Sequence, residues 1–333
     1  MKYWLVLLLI LIGCTPTQKT EILVENLEVP WAIAFFKDGS FLFTERNTGT
    51  VSHYENGKVK EIANLHSSWI GEGGLLGIAI DPDFETNRLV YVYYTYEGAE
   101  RTLNRVSRFV YDDNLQNENI IVDAIPGARF HDGGRLEFGP DKKLYITTGD
   151  ATEPSLAQDI TSTAGKILRI TADGTIPADN PSPNSPVYSY GHRNPQGLAW
   201  YKGKLVAPEH GPQQNDEINS ITPGTNYGWP IVQCNAHTGY TPPIRCFTDW
   251  TLAPAGATFD EDGNLYVAGL RGAQIRKFVF KDNSIVSEDV FLEELGRLRE
   301  VKYHDGYLYI TTSNRDGRGV PRFGDDKIIR IKI

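Results

Sequence analysis

The stretch "YSYGHRNPQGLAW", residues 188–200, concentrates more hydrogen-bonding side chains than an ordinary loop requires. His192, Arg193, Asn194 and Gln196 stand close together, between two glycines and beside a proline. A guanidinium next to an amide can stabilise negative charge that develops on a bound molecule. The alternative is a connecting loop in which Arg193 pairs with a carboxylate. We interpret Arg193 and Asn194 as candidate functional residues, and His192 and Gln196 as supports of the loop.

His131, in "FHDGGRL", has the chemistry of a general base. A neutral imidazole can accept a proton from a hydroxyl group at neutral pH. A lone His is more often held in a loop by hydrogen bonds, so a structural role is the alternative. The choice between the two depends on the residues that flank it.

Arg297 and Arg299, in "GRLRE", alternate along an extended segment and therefore face the same side. Such a pair is usually solvated, which is the alternative here. In a chain of net charge -9, two cations at one site would be costly unless an anion lies beside them. The pair therefore indicates a site for an anionic ligand.

Cys234 and Cys246 enclose "CNAHTGYTPPIRC", a segment with two prolines and little periodicity. In an exported chain, one remaining cysteine pair indicates a disulfide. Two free buried thiols are the alternative. Without a His or Cys at metal spacing, the pair makes a poor zinc site.

The N-terminal segment "MKYWLVLLLILIGC" has the features of an export signal. It begins with Lys2, continues as an apolar run too short to span a bilayer, and ends in Cys14. This ending resembles the bacterial lipoprotein box, which implies that Cys14 is lipidated; a plain secretory signal with an incidental Cys is the alternative. We expect a signal peptide at 1–13, a tether at 14–20, and an exported, membrane-anchored lipoprotein that faces the periplasm or the cell exterior.

The composition is typical of a globular protein with a sizeable core. The chain has 333 residues, of which 40% are hydrophobic and 23% are charged. The net charge of -9, with no basic run, argues against nucleic acid as a partner. We expect contact with a membrane only through the lipid anchor.

A small unit recurs through residues 21–333: a turn rich in Asp and Gly, an apolar strand, a polar gap and a second strand. "KDGSFLFTERNTGTVSHY", "GPDKKLYITTGD" and "YHDGYLYITTSNRDG" are examples. The strands are short and rich in Tyr, Val, Ile and Thr. Six such units predict an all-β fold, a six-bladed β-propeller that forms a single catalytic domain. A two-sheet sandwich is the alternative. "TEILVENL" is expected to pair with the last blade and close the ring.

Five motifs resemble one enzyme family when they are taken in order: "GEGGLLGIAIDPDF", "FHDGGRLEFGPDKKLYITTGD", "YGHRNPQGLAW", "EHGPQQNDEIN" and "NYGWP". They are similar to the soluble glucose and aldose sugar dehydrogenases, six-bladed propellers that use pyrroloquinoline quinone (PQQ) and calcium. The similarity covers about residues 22–333. It implies oxidation of the C1 hydroxyl of an aldose to a lactone, with hydride passed to the quinone and electrons passed later to an external acceptor.

The resemblance assigns roles to the residues singled out above. His131 matches the general base. Arg271 stands where the family often has Lys, which keeps the charge but changes the geometry. His210 stands where some glucose-oxidising members have Gln. The cofactor-binding positions implied by the resemblance are Arg193, Asn194, His210, Trp250, Thr251, Arg271, Arg297 and Arg299.

The resemblance also implies two calcium sites. Gly211 and Pro212, in "EHGP", match positions whose backbone carbonyls hold the calcium next to the cofactor. Glu217, with the carbonyl of Tyr227, matches a second, structural calcium. An ordinary loop salt bridge is the alternative for Glu217.

Three further matches concern the substrate and the wall of the cofactor pocket. Glu72, in "GEGG", takes the place of a family Gln and could contact a sugar hydroxyl. Gln158 could do the same, although insertions and deletions around "TEPSLAQD" weaken that match. The ring of Trp250 could stack on the flat quinone or pack in the core.

Two other functions are compatible with a propeller. A calcium-dependent lactonase or related hydrolase would hold its metal with several Asp, Asn and Glu side chains, whereas the candidate mouth here is rich in Arg and His. A non-catalytic binding module would have lost His131 or the arginines, and both are present. The residues, more than the fold, therefore favour an oxidoreductase.

Overall fold

The computed structural model describes residues 20–234, 239–281 and 284–333. Within these ranges the chain forms 24 β-strands in six four-stranded antiparallel sheets. Helical structure in the same ranges is restricted to α1 (Phe84–Asn87) and a 3-10 turn at Pro154–Ala157. The predicted signal peptide, Cys14 and the predicted tether up to residue 19 lie outside the described residues.

The strands are numbered in chain order, and each sheet is one blade. Their bounds are β1 Thr20–Val24, β2 Pro30–Phe35, β3 Phe41–Glu45, β4 Thr50–Glu55, β5 Lys58–Asn64, β6 Leu75–Ile80, β7 Leu89–Glu97, β8 Thr102–Asp112, β9 Asn114–Pro126, β10 Leu136–Phe138, β11 Leu144–Thr148, β12 Lys166–Ile170, β13 Val187–Tyr190, β14 Ala199–Tyr201, β15 Lys204–Glu209, β16 Asp216–Ile221, β17 Arg245–Phe247, β18 Pro254–Phe259, β19 Asn264–Gly269, β20 Gln274–Lys281, β21 Ser284–Leu292, β22 Leu298–His304, β23 Tyr307–Thr312 and β24 Ile328–Lys332.

Blades one to five each consist of four consecutive strands, starting from β2, β6, β10, β14 and β18. The inner strands of neighbouring blades contact one another: β2 and β10 contact β6, β14 and β22 contact β18, and β22 contacts β2. This arrangement confirms the predicted six-bladed β-propeller and rules out the two-sheet sandwich.

The sixth blade combines both ends of the chain. Its order is β1-β24-β23-β22, so the N-terminal strand supplies the outer edge of a sheet that is otherwise C-terminal. Thr20 is paired with Ile331, and Ile22 with Ile329. The predicted pairing of "TEILVENL" with the last blade is confirmed. Closure of this kind leaves no long sheet edge between the first and last blades.

Large aromatic side chains fill the space between blades. Phe41 of blade one packs against Tyr309 of blade six, with ring centroids 5.8 Å apart. Trp31 on β2 is almost fully buried, and the guanidinium groups of Arg135 and Arg299 lie 4.3 and 5.7 Å from its ring. Burying each large apolar side chain stabilises the fold by about 1.5–3 kcal/mol. This packing fixes the inner strands, which carry the loops of the site.

The loops lie on two faces of the ring because the strands of a blade alternate in direction. We call one face the site face: it carries the links from the second to the third strand of a blade and the links between blades. The remaining links form the turn face. Residues that follow second strands or precede first strands therefore share the site face; they include His131, Asp150, Arg193, His210, Arg271 and Arg297. Among the described residues, no helix has the length and apolar character needed to cross a membrane.

Candidate active site

A cavity of about 340 Å³ opens on the site face. It is lined by loops from several blades, so its residues are far apart in sequence. The predicted residues that line it are Glu72, His131, Arg193, His210, Gly211, Pro212, Thr251, Arg271 and Arg297. The lining residues that the sequence did not single out are Phe130, Gln213, Asp216, Ala253, Leu270 and Arg318.

The imidazole of His131 is held by a buried carboxylate. Its Nδ1 lies 2.7 Å from Oδ1 of Asp150, whose side chain is 0% exposed. A carboxylate only accepts hydrogen bonds, so Nδ1 is the donor, and in the neutral tautomer that makes this bond Nε2 is the acceptor nitrogen. Trp229 donates its indole N–H to the other oxygen of Asp150 at 2.8 Å. The ring is thus fixed in the tautomer that a general base requires.

Glycine makes the approach of these two residues possible. His131 itself has a φ of +66°, in the left-handed region. A Cβ at Gly149 would lie 1.9 Å from the carbonyl oxygen of His131, so no larger residue fits there. The two segments "FHDGG" and "TTGD" therefore pack backbone against backbone. Asp150 is a functional candidate that sequence reasoning missed; its position directly after "TTG", on the same face as His131, was the available signal.

Glu72 lies between the base and an arginine. Its Oε2 accepts a hydrogen bond from the backbone N–H of His131 at 3.1 Å, and its Oε1 accepts one from Arg318 at 2.8 Å. Burial alone would raise the pKa of Glu72, but His210, Arg318 and the N–H of His131 outweigh it and lower the pKa to about 2. Glu72 is consequently an anion at neutral pH. Arg318 was not predicted from the sequence.

In the segment "GHRNP", the side chain of Arg193 lines the cavity, whereas those of His192 and Asn194 are buried beneath it. Arg193 donates to the carbonyl oxygen of His210 at 3.2 Å, lies 5.4 Å from the ring of Trp229, and has a buried Nε without a partner. Asn194 does not line the cavity. It is fully buried, accepts from the N–H of Gly133 at 3.1 Å, and approaches Glu72 at 3.5 Å. This placement favours a positioning role for Asn194.

The other two polar residues of the opening stretch support the loop, as the sequence indicated. His192 is buried, contacts Ser189 through Nε2 at 2.8 Å, and stacks on Tyr227 with ring centroids 4.7 Å apart. Gln196 accepts a hydrogen bond from Arg299 at 2.6 Å. Both contacts are internal to the protein.

The "EHGP" loop is held by Asp216. This carboxylate accepts from the N–H of Gly211 at 2.9 Å and from the hydroxyl of Thr251 at 2.7 Å, so it joins two walls of the cavity. Nε2 of His210 is buried without a partner, and burial lowers the pKa of His210 to about 4, so the ring is neutral near pH 7. No hydrogen bond recorded for the described residues uses the carbonyl of Gly211 or Pro212. Those oxygens could face a cation.

Arginines form the opposite wall and extend below it. Arg297 donates to Asp316 at 2.7 Å, and Arg299 lies 3.9 Å from the same carboxylate. Asp316 of the protein thus supplies a counter-charge to both cations, and an anionic ligand beside them stays a prediction. Arg299 is 3% exposed, its Nε has no partner, and burial with nearby Arg46 lowers the pKa of Arg299 to about 9. It lines a neighbouring cavity rather than the main one.

Two residues matched to the ligand lie away from the main cavity. Gln158 donates to the carbonyl oxygen of Trp229 at 2.6 Å and is paired with Asn226, so it holds the Trp229 loop. Trp250 packs edge-on to Phe247, at 5.3 Å, beside an outer groove that it shares with Arg271. Neither placement supports direct contact with a ligand in the main cavity.

The second proposed calcium position lies near the disulfide. Glu217 accepts hydrogen bonds from the N–H of Cys234 at 2.6 Å and from Asn219 at 3.2 Å. Burial and neighbouring Glu209 raise the pKa of Glu217 to about 7. The carbonyl of Tyr227 belongs to the same long loop, 222–244. In the ranges that the structure describes, no group of three or more His, Cys, Asp or Glu side chains could hold a metal ion.

The predicted disulfide between Cys234 and Cys246 is confirmed. Their Cα atoms are 5.6 Å apart. The bond fastens Cys234, which follows Trp229 in the same connection, to Cys246 on β17. The base side of the cavity is therefore anchored covalently as well as by hydrogen bonds.

The chain is similar to proteins of one family along most of its length. The family model "Glucose / Sorbosone dehydrogenase" matches residues 27–322. The aldose sugar dehydrogenase of Escherichia coli strain K12 is 28% identical over 339 residues, which cover 90% of this chain and 91% of that protein.

Two solved structures have the same fold at higher sequence identity. The putative oxidoreductase (glucose dehydrogenase) of Thermus thermophilus is 41% identical with a TM-score of 0.89, over 94% of this chain and 99% of that chain. The PQQ-bound aldose sugar dehydrogenase of Streptomyces coelicolor is 37% identical with a TM-score of 0.89, over 94% of this chain and 98% of that chain.

Proposed function

This chain belongs to the glucose/sorbosone dehydrogenase family, and from that premise we propose that it is a quinoprotein that oxidises the C1 hydroxyl of aldose sugars to lactones with PQQ and calcium. The observation that carries the proposal is the pair of His131 and Asp150 at the edge of an arginine-lined cavity. A redox enzyme of this kind needs a base for the hydroxyl proton and cations for an anionic cofactor, and the cavity offers both.

His131 takes the proton of the C1 hydroxyl on Nε2. Asp150 keeps the proton of Nδ1 in place and stabilises the imidazolium that forms. Trp229 holds Asp150 from the far side, so the pair does not reorganise during the transfer. When bound, PQQ supplies the acceptor for the hydride that leaves C1. The reaction as a whole would require an external electron acceptor.

The residues present fit the cofactor. Buried nitrogens of Arg193 and His210 at the cavity, and of Arg299 below it, have no partner, which is costly unless a ligand forms hydrogen bonds with them. PQQ carries three carboxylates and two quinone oxygens. Arg193 would serve the quinone oxygens, and Arg271, Arg297 and Arg299 would serve the carboxylates. Arg is suited to this because its planar fork matches a carboxylate.

Calcium fits the "EHGP" loop. The carbonyls of Gly211 and Pro212 are the oxygen ligands that this cation prefers. A Cβ at Gly211 would lie 2.0 Å from the carbonyl oxygen of Gln214, so the tight loop requires glycine. For the second site, Glu209 and Glu217 both accept from Asn219 in a buried position, and a cation there would offset their repulsion.

A calcium-dependent lactonase receives less support. Such an enzyme would need several carboxylate and amide ligands together at the channel, and none of the described ranges contains a metal-binding cluster of acidic or His side chains. The non-catalytic alternative does not account for the fixed tautomer of His131. The lipid anchor at Cys14 and the export signal remain predictions.

The direct test is reconstitution. Purified protein is dialysed against a chelator and then supplied with PQQ, calcium, or both, and dye reduction with glucose is recorded. We expect activity only with both additions, together with loss of the absorbance of the oxidised quinone when glucose is added. Full dye-linked oxidation in chelator without added quinone would contradict the proposal.

A further inference from the structure

A second cavity, of about 370 Å³, lies next to the main one on the site face. The two share a wall made of Glu72, Phe130 and Arg318. The residues that only the second cavity contains are Arg46, Trp69, Gly71, Arg129, Arg299, Asp316 and Gly317. Phe130 directly precedes the base His131, so the shared wall adjoins the base.

The second cavity is cationic in an otherwise acidic protein. Four arginines line it against two carboxylates, and the whole chain has a net charge of -9. Both carboxylates are engaged: Glu72 by Arg318 at 2.8 Å and Asp316 by Arg297 at 2.7 Å. The Arg129 guanidinium makes no hydrogen bond or ion pair recorded among the described residues. Its closest charge-related contact is the ring of Phe130, at 5.7 Å. A positive group remains available for an anion.

The same cavity has an exposed aromatic surface. Trp69 is 56% exposed and lines this cavity, so its indole ring is accessible to a ligand there. Phe130 lies beside it in the lining, under the guanidinium of Arg318 at 5.2 Å. The apolar face of a pyranose ring packs well on an indole ring. Aromatic and cationic groups together therefore suit a sugar ring that carries a negative charge.

The wall of this cavity is fixed by contacts within the protein, before any ligand binds. The N–H of Glu72 donates to the carbonyl oxygen of Arg129 at 2.9 Å, which joins the Trp69 loop to the Arg129 loop. A Cβ at Gly71 would lie 1.9 Å from that same oxygen, so the contact leaves no space for another residue. The two loops that would hold the ligand are thus fixed relative to His131.

We propose that the second cavity binds a hexuronate residue linked to the aldose that is oxidised, so that the substrates include the reducing ends of acidic disaccharides. The aldose ring occupies the main cavity with C1 at His131. The adjacent hexuronate ring lies in the exposed part of this cavity, against Trp69 and with its carboxylate at Arg129, and leaves the buried Arg299 to the cofactor. The inference rests on the proposed function, because the oxidation at C1 of the aldose is the same reaction.

Binding of two matched ligands tests the site without any oxidation. Methyl β-cellobioside and its counterpart with a carboxylate at C6 of the non-reducing ring are both blocked at C1. Calorimetric titration of the protein loaded with PQQ and calcium gives their dissociation constants. We expect the acidic ligand to bind about 10-fold more tightly, as for a charge-assisted hydrogen bond to a partly exposed cation. Equal affinities would overturn the proposal.

Three variants localise the effect. Arg129→Gln is expected to reduce the preference for the acidic ligand to about twofold. Trp69→Ala is expected to weaken both ligands about 3- to 10-fold. Lys202→Gln removes the same charge from the turn face and is expected to leave the preference unchanged. An unchanged preference in Arg129→Gln, or an equal loss in Lys202→Gln, would overturn the assignment. Oxidation of free glucose, measured separately, reports on the proposed function alone.

Discussion

The two sides of the main cavity are built differently. On the base side, His131, Asp150 and Trp229 form a closed chain of hydrogen bonds in which both oxygens of Asp150 are used. On the arginine side, Arg193 and Arg299 keep buried nitrogens without partners. The difference indicates that the residues for proton transfer are held in place by hydrogen bonds to one another. The binding wall instead keeps hydrogen-bond donors for its ligand. Each buried donor without a partner costs about 1–3 kcal/mol, which a bound anion would remove.

The largest expected effect is loss of the base. In His131→Asn the new side chain tolerates the positive φ of this position and can still donate to Asp150, but it cannot accept the proton. Turnover at saturating quinone should fall by about 100- to 10,000-fold. Steady-state dye reduction measures it. If turnover stays near that of the parent protein, His131 is structural and the base side has been misassigned.

The disulfide anchors the loop that carries Trp229. Replacing both Cys234 and Cys246 by Ser should lower the free energy of unfolding by about 3 kcal/mol, because the unfolded chain gains freedom in that loop. Urea unfolding of both proteins without reductant measures the difference. An unchanged free energy of unfolding would show that hydrogen bonds alone fix the base side.

A smaller effect is expected from the partner of the base. Asp150→Asn keeps the size of the side chain but no longer fixes the tautomer of His131. We expect turnover to fall about 10- to 100-fold, as for other residues that orient a functional imidazole, with quinone affinity within about twofold. Turnover and quinone titration are measured on the same preparation. Weakened quinone binding with normal turnover would assign Asp150 to the binding wall instead.

The smallest effect concerns Asp132, which follows the base but has an incomplete set of hydrogen bonds. Its Oδ1 accepts from Asn104 and Ala128, while its buried Oδ2 has no partner. Burial raises the pKa of Asp132 to about 7. The folded state thus keeps a proton that the unfolded state releases at about pH 4, and stability is lost as the pH rises from about 4 through 7.

In the variant Asp132→Asn the side chain at this position does not titrate, so this loss of stability with rising pH is absent. We expect the stability of the parent protein relative to the variant to be greater at pH 5 than at pH 8, by an amount on the order of 1 kcal/mol. Urea unfolding of both proteins at the two pH values measures the change. A pH-independent difference would show that Asp132 does not titrate in this range.

The sequence predicted the parts of this molecule that repeat or that lie within one motif. The Asp-Gly turns and short strands predicted the propeller, and the motif matches identified most residues of the main cavity. Contacts between distant segments were not accessible. Glu72 and Arg318 are 246 residues apart, and nothing local to either indicates the other. Asp150 is only 19 residues from His131, and its place directly after "TTG" was a signal that sequence reasoning did not use.

Residue type also failed to predict where a side chain points. Asn194 follows Arg193 directly, yet Arg193 reaches the cavity and Asn194 is buried beneath it. Trp250 and Gln158 stand at positions that match ligand-contacting residues of the family. Trp250 nevertheless packs on Phe247, and Gln158 holds the loop that carries Trp229. The order of the strands along the chain predicts which loop a residue belongs to. The direction of its side chain depends on contacts with the neighbouring blade.

One side of the cavity is assigned to proton transfer and the other to binding the cofactor. A quinone titration of His131→Asn and Arg299→Met at fixed calcium, followed by turnover at saturation, separates the two roles. For His131→Asn we expect quinone affinity close to that of the parent protein but little turnover. For Arg299→Met we expect affinity weaker by about 10- to 100-fold, with most turnover recovered at saturation. The reverse pattern, in which His131→Asn loses affinity and Arg299→Met loses only turnover, would show that the two sides have been assigned the wrong way round.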